Sequence, residues 1–215
     1  MAGSKTEMLN AGGYGYYTSA PAHTNAYLWP VAENVLEHHF QGRPARRVFD
    51  LGCGNGALAN RLHQKGFEVA GVNPSETGIT FANQTWPILN LRLGSAYDDL
   101  QAQFGTFPAV VSLEVVEHVY APRDYSRCLF NLLEPGGIAI VSTPYHGYLK
   151  NLALALTGKM DHHFTALWDH GHIKFWSIKT LSRLLEDAGL KVEQTHRVGR
   201  LPILAKSMIL IARKP

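Results

Sequence analysis

Arg46-Arg47-Val48-Phe49-Asp50-Leu51-Gly52-Cys53-Gly54-Asn55-Gly56-Ala57 begins the stretch that decides the fold, and residues 58–76 complete it. A β-branched and aromatic run stops at a cluster of glycines. An amphipathic segment carrying Leu58 and Leu62 follows, and residues 68–72 return to an apolar run. Strand, glycine turn, helix and strand make a βαβ unit, whose two strands lie parallel in one sheet.

The same alternation continues outward. Residues 75–86 read as a helix and LRLGS (91–95) as a third strand. AVVSLE (109–114) is nearly all apolar, as expected of a parallel strand buried on both faces. A helix over 124–133, a strand over 136–143, a helix over 178–188 stopped by Gly189, and strands over 191–198 and 205–212 complete the downstream part. Upstream, Leu28, Val31, Ala32, Val35 and Leu36 recur at helical spacing within residues 25–40. The pattern predicts one α/β domain over residues 25–215 with a doubly wound, Rossmann-like sheet. Residues 1–24, rich in Gly, Tyr, Ser and Pro, read as a flexible loop able to fold over a pocket.

Composition narrows the function classes. With 215 residues, 46% of them hydrophobic, the chain has material for a large core, which excludes a disordered tail or a disulfide-stapled miniprotein. Twenty basic against seventeen acidic residues give a net charge of +3, which offers no broad surface for nucleic acid. No run is long enough for a membrane span and the first residues lack a signal-peptide core, so a cytoplasmic location is expected. Cys53 and Cys128 form no disulfide framework. Histidine is unusually frequent, eleven in all, and His118, His146, His162, His163, His170 and His172 fall within one stretch.

The glycine turn lies where open parallel sheets bind ligands, at the carboxyl end of a strand. Glycines permit positive φ and close backbone approach, and the helix start offers unpaired N–H groups. A nucleoside-bearing cofactor follows. The spacing Gly52-x-Gly54-x-x-Ala57 also satisfies the dinucleotide fingerprint, and the second strand ends in Asn73 where both cofactor classes usually place a carboxylate for ribose.

Three motifs in order, DLGCGNG, GVNPSE and SLEVVEHV, resemble the class I S-adenosylmethionine-dependent methyltransferases over about residues 46–143. The resemblance implies a seven-stranded sheet with an antiparallel last strand. It implies that the loop with Gly52, Cys53, Gly54 and Gly56 holds the methionine part of the cofactor, that Asn73 binds ribose, and that Ser95, Ala96 and Tyr97 flank adenine. Asp50, Pro74 and Glu114 complete the cofactor set it implies. Residues at about 145–176 would form the substrate cover. Pro108 stands where the family often has Asp.

Glu114, Glu117 and His118 are spaced i, i+3 and i+4, so a helical path from the fourth strand would project all three from one face. Two carboxylates so close call for a cation, a shared proton or solvent. The E-x-x-E-H pattern resembles the metal-dependent branch, the ubiquinone-pathway O-methyltransferases and the small-RNA terminal 2′-O-methyltransferases. In the small-RNA enzymes a later histidine is the fourth ligand, and Gly171-His172-Ile173-Lys174-Phe175-Trp176 is similar to the segment that carries it, with His172 in that place. The implied set is Glu114, Glu117, His118 and His172, holding Mg²⁺ or another divalent ion, with His118 and His172 as the catalytic pair. His162, His163, Asp169 and His170 are further candidates in the same segment. In a metal-free version His118 takes the acceptor proton itself.

The expected function is O-methylation of a small catechol- or diol-like acceptor. The rivals are a metal-free C- or N-methyltransferase, a nicotinamide-dependent oxidoreductase, and a silent binding subunit suggested by Asn73 alone. Leu149, Leu152, Leu154 and Leu156 suit an ordinary buried helix, and also an apolar acceptor or a peripheral membrane contact.

Overall fold

The structure, a computed structural model, describes residues 15, 16, 24–169 and 171–215. Along the chain come α1 (Asn25–His39), β1 (Arg47–Leu51), α2 (Ala57–Gln64), β2 (Glu68–Asn73), α3 (Glu76–Thr85), β3 (Asn90–Leu93) and α4 (Leu100–Phe104). Then follow β4 (Phe107–Leu113), α5 (Pro122–Leu132), β5 (Leu133–Pro144), α6 (Tyr148–Leu156), α7 (Met160–Phe164), α8 (Ile178–Asp187), β6 (Lys191–Val198), a short 3-10 turn (Pro202–Leu204) and β7 (Ser207–Arg213). One sheet runs β3-β2-β1-β4-β5-β7-β6. β7 is antiparallel to both its neighbours, while β1 to β5 are parallel.

The central strands explain the layers. Along β1 and β4, alternate side chains face opposite sides of the sheet. Phe49, Leu51 and Val110 join Tyr125, Leu129, Leu132, Leu181 and Leu185 in one core, beneath α4, α5 and α8. Val48, Ala109 and Val111 join Leu28, Leu36, Leu58, Leu62 and Ile79 in the other, beneath α1, α2 and α3. Three helices on each face are the doubly wound arrangement. Pro108 sits where the β4–β5 register shifts, between Phe107 and Ala109, a place where a missing N–H is tolerated. The parallel order leaves β1, β2, β3 and β4 ending on one edge, the edge from which the glycine turn departs.

One expectation changes. α6 is not a buried helix, since none of its residues is buried and Tyr148 and Leu156 are largely exposed. Most of the N-terminal loop, including Tyr14 and Tyr17, lies outside the described residues. Tyr16 is described, and its N–H donates to Thr77 Oγ1 at 3.1 Å. No helix among the described residues is long and apolar enough to cross a membrane.

Candidate active site

A cavity of about 1420 Å³ opens at the carboxyl edge of the sheet and runs from the glycine turn to α6. Its first end is built by β1 and β2. The N–H groups of Gly52 and Cys53 both donate to the Val72 carbonyl, at 2.9 and 3.0 Å, which ties the turn to the end of β2. Gly52 and Gly54 have φ of 92° and 56°, the left-handed region. A Cβ on Gly52 would stand 2.4 Å from Val115 Cγ2, and one on Gly54 2.6 Å from the Tyr16 hydroxyl. Only glycine lets the chain turn this sharply under those neighbours.

All the residues expected to hold the cofactor, except Gly56, line this cavity: Asp50, Gly52, Cys53, Gly54, Asn73, Pro74, Ser95, Ala96, Tyr97 and Glu114. Gly56 lies behind the turn at the start of α2, where a Cβ would meet Leu91 Cδ1 at 2.8 Å. Asp50 is buried, and its Oδ2 has no hydrogen-bond partner among the described residues. Burial pushes its carboxyl up to about 7. A buried carboxylate oxygen facing a cavity is suited to a cationic ligand group. Asn73 Oδ1 accepts from the Ser75 N–H at 2.8 Å, which helps start α3 and leaves the NH₂ group to meet a ligand oxygen. The Tyr97 hydroxyl accepts from the N–H groups of Tyr120 and Ala121, at 2.8 and 3.1 Å, joining the β3 and β4 loops across the cavity.

Beyond β4 the chain does not continue as a helix. Glu114 takes φ 57° and residues 116–118 form a turn. The expected four-ligand set is therefore corrected. Glu117, His118 and His172 each bring one ligand atom within 4.8 Å of the others, and Glu114 is not in that group. Its carboxylate instead accepts from Ser142 Oγ (2.9 Å, Oε1) and Ser207 Oγ (3.3 Å, Oε2), and burial pushes it up to about 7. The left-handed Glu114 backbone sends its side chain toward β5 and β7, which a helical spacing argument does not foresee.

His172 is brought in by backbone pairing with the turn. Ile173 and Lys174 N–H groups donate to the Glu117 carbonyl at 2.9 and 3.0 Å, and Trp176 Nε1 donates to the Val116 carbonyl at 3.1 Å. His118 Nδ1 lies 3.2 Å from the Gly171 carbonyl, so its Nδ1–H donates there and Nε2 is the ring atom left to meet a ligand. This imidazole–carbonyl contact is a common support of a metal-ligating histidine. Burial and His118 hold His172 down at about 4, which keeps its imidazole neutral. Glu117 is 1% exposed, and neither of its oxygens has a hydrogen-bond partner among the described residues. The Thr143 hydroxyl is near enough to ease the charge but makes no hydrogen bond to it. Burial, then neighbouring Glu114, raises Glu117 well above the carboxylate range. An orphaned buried carboxylate beside two imidazoles, His172 held neutral, fits a divalent cation.

Of the other histidine candidates, His163 lines the cavity and lies near His146, with ring centroids 5.5 Å apart and the ring planes tilted by 58°. His162 and Asp169 are exposed. His170 lies outside the described residues. The sequence reading passed over Ser142, Ser207 and Tyr27, whose hydroxyl is 3.4 Å from Ser207 Oγ. Their role depends on β7 returning beside β5 with Ser207 opposite Pro144, a register that no local motif signals.

Comparison with known proteins accords with this geometry. A family model described as a methyltransferase domain matches residues 25–195. A ubiquinone biosynthesis O-methyltransferase of Caulobacter sp. (strain K31) is 39% identical over 116 residues, 52% of this chain and 46% of that protein. The mitochondrial ubiquinone biosynthesis O-methyltransferase of Homo sapiens is 29% identical over 175 residues, 76% of this chain and 47% of that protein. The chain thus spans about half the length of these curated relatives. Among solved structures, a geranyl diphosphate methyltransferase in complex with GPP and sinefungin superposes with TM-score 0.65 at 19% identity, covering 87% of this chain and 77% of its own. Magnesium protoporphyrin IX methyltransferase from Synechocystis PCC 6803 with bound SAH does so with TM-score 0.62 at 22% identity, covering 86% and 83%. At these identities the structures attest the fold.

Proposed function

The chain belongs to the class I S-adenosylmethionine-dependent methyltransferases, and from that premise we propose that it methylates a hydroxyl oxygen of a small acceptor bearing two neighbouring oxygens, such as a catechol, with divalent-metal assistance. One observation carries the metal: the buried Glu117 carboxylate, without a hydrogen-bond partner among the described residues, beside His118 and His172. The names of the ubiquinone-pathway relatives support an oxygen acceptor.

Methyl transfer from a sulfonium is an in-line displacement, so the protein's main task is alignment. Asp50 would meet the ammonium of the donor's amino-acid end. Gly52 and Gly54 let that end lie against backbone, and Asn73 offers its NH₂ to a ribose oxygen. Tyr97, on the cavity wall, would flank the adenine end. Glu117, His118 and His172 would hold the ion, which when bound supplies a positive charge that lowers an acceptor hydroxyl's pKa and fixes both oxygens. Glu114, held by Ser142 and Ser207, stays outside that set. The Gly171 carbonyl holds the His118 ring through Nδ1 and leaves Nε2 as the atom to meet the ion, and His172, kept neutral, offers a lone pair as well.

Calorimetric titration of Mn²⁺ into the S-adenosylhomocysteine-loaded chain tests this reading. One site per chain is expected, weakened at least 100-fold in Glu117→Gln and less than about threefold in Glu114→Gln. Equal weakening in both variants, or no saturable site in the unaltered chain, contradicts it.

A further inference from the structure

The far end of the cavity is walled by α6 and by the loop 199–206, with α6 packed on the 3-10 turn Pro202–Leu204. Four cations line it: Lys150, Lys159, Arg200 and Lys206. None of them is in an ion pair among the described residues. Lys150 Nζ makes one bond, to the Tyr145 carbonyl at 2.8 Å, and keeps two further donors. Lys206 Nζ stands over the Tyr27 ring at 5.7 Å. Of the acids lining the cavity, Asp50 lies at the glycine turn and Glu117 faces the imidazoles; Glu114, which accepts from two serines, is near enough to Lys150 to attract it but forms no ion pair with it among the described residues.

Like charges gathered in a partly enclosed site repel one another unless solvent or an anion intervenes. Burial and the nearby Arg200 guanidinium hold the Lys150 ammonium below its ordinary range. α6 does not need Lys150 for packing, because the helix buries none of its residues. The arrangement matches what a carboxylate or phosphate demands, a guanidinium fork and a lysine point charge at the wall of a cavity.

We propose that this end of the cavity binds an anionic group, carboxylate or phosphate, carried by the acceptor, with Lys150 and Arg200 as its direct partners. Identifying the occupant as the acceptor rests on the methyl-transfer reading; the anion site itself does not. The two cations fix the remote end of the acceptor while its hydroxyl is presented toward the glycine turn, so they set specificity rather than perform the transfer.

The test uses the full chain loaded with S-adenosylhomocysteine and three probes of similar body: benzoate, phenyl phosphate and phenol. At least one anion should bind ten times tighter than phenol or better. The preference should shrink as NaCl rises from 50 to 500 mM and fall at least fivefold in Lys150→Met and in Arg200→Met. S-adenosylhomocysteine affinity and the melting temperature serve as folding controls. Arg200 is exposed, so its variant folds even if Lys150→Met does not. Which anion binds tighter separates carboxylate from phosphate. No preference over phenol, or a preference that survives both substitutions, overturns the proposal. Methylation of catechol by the same samples is scored separately: its absence counts against the methyl-transfer reading, while the probe comparison still decides the anion site.

Discussion

Replacing Asp50 by Asn should strengthen the empty protein and weaken its hold on the methyl donor. The Asp50 carboxyl rises from 3.8 to about 7 because it is buried, with Oδ2 unpartnered among the described residues. Each pKa unit corresponds to about 1.36 kcal/mol, so ionising this group in the fold costs up to about 4 kcal/mol, and about 2 kcal/mol once water reaching the cavity is allowed for. The sign follows from proton counting. Above pH 4 the unfolded chain has released this proton while the folded chain retains it, so stability declines as pH rises from about 4 to about 7 and stays low above. An amide does not ionise, so the variant lacks that decline. At pH 8 it should melt roughly 4–8 °C higher than the unaltered chain, the shift about 2 kcal/mol produces in a domain of this size. At pH 4 the gain should vanish. With S-adenosylhomocysteine the order reverses, because losing a charge-assisted bond to the ligand ammonium costs about 1.5–3 kcal/mol, or roughly 10- to 150-fold in affinity. Melting curves from pH 4 to 9, with and without the ligand, read both effects. A variant that melts lower at pH 8 and binds the ligand unchanged would refute the reasoning.

Other substitutions address other links. Gly52→Ala forces a Cβ to 2.4 Å from Val115 Cγ2 at φ 92°, and should cost about 2–3 kcal/mol and at least tenfold in S-adenosylhomocysteine affinity, read by denaturation and calorimetry. Trp176→Phe removes the Nε1–Val116 bond that tethers the His172 segment; a loss of about 1 kcal/mol and roughly tenfold weaker Mn²⁺ binding by electron paramagnetic resonance are expected, whereas unchanged Mn²⁺ affinity speaks against the tether. Leu129→Ala opens a void between α5 and the sheet and should cost about 2–5 kcal/mol in urea, with ligand affinity intact. Arg61→Ala leaves buried Glu33 facing Lys65 alone, and about 1–3 kcal/mol should be lost at pH 7, a loss that shrinks as the pH falls through the lowered pKa Glu33 has in the unaltered fold.

The fold was legible wherever one periodicity dominated. The run 109–114, apolar on both faces, announced a central parallel strand, and DLGCGNG with its positive-φ glycines announced the turn after β1. α6 misled because Leu149, Leu152, Leu154 and Leu156 read as core, yet the helix lies at the mouth of a cavity, where apolar side chains serve a surface. The residues expected to hold the cofactor fall at one cavity because they cluster in three short motifs, and the family match closes the dinucleotide alternative that Gly52-x-Gly54-x-x-Ala57 left open. Glu114 was misplaced for a physical reason: i, i+3, i+4 spacing implies one face only on a helix, and a single left-handed residue abolishes the helix. The partners of Glu114, Ser142 and Ser207, arise from long-range register between β5 and β7, which local patterns do not encode.

The central claim is metal-assisted methylation of a hydroxyl oxygen, and a direct measurement is mass-spectrometric detection of guaiacol from catechol and S-adenosylmethionine. The account predicts product with Mn²⁺ or Mg²⁺, its loss with excess chelator and its return when the ion is restored, with Glu117→Gln inactive throughout. Guaiacol formed equally well in chelator, or formed by Glu117→Gln at the unaltered rate, contradicts it.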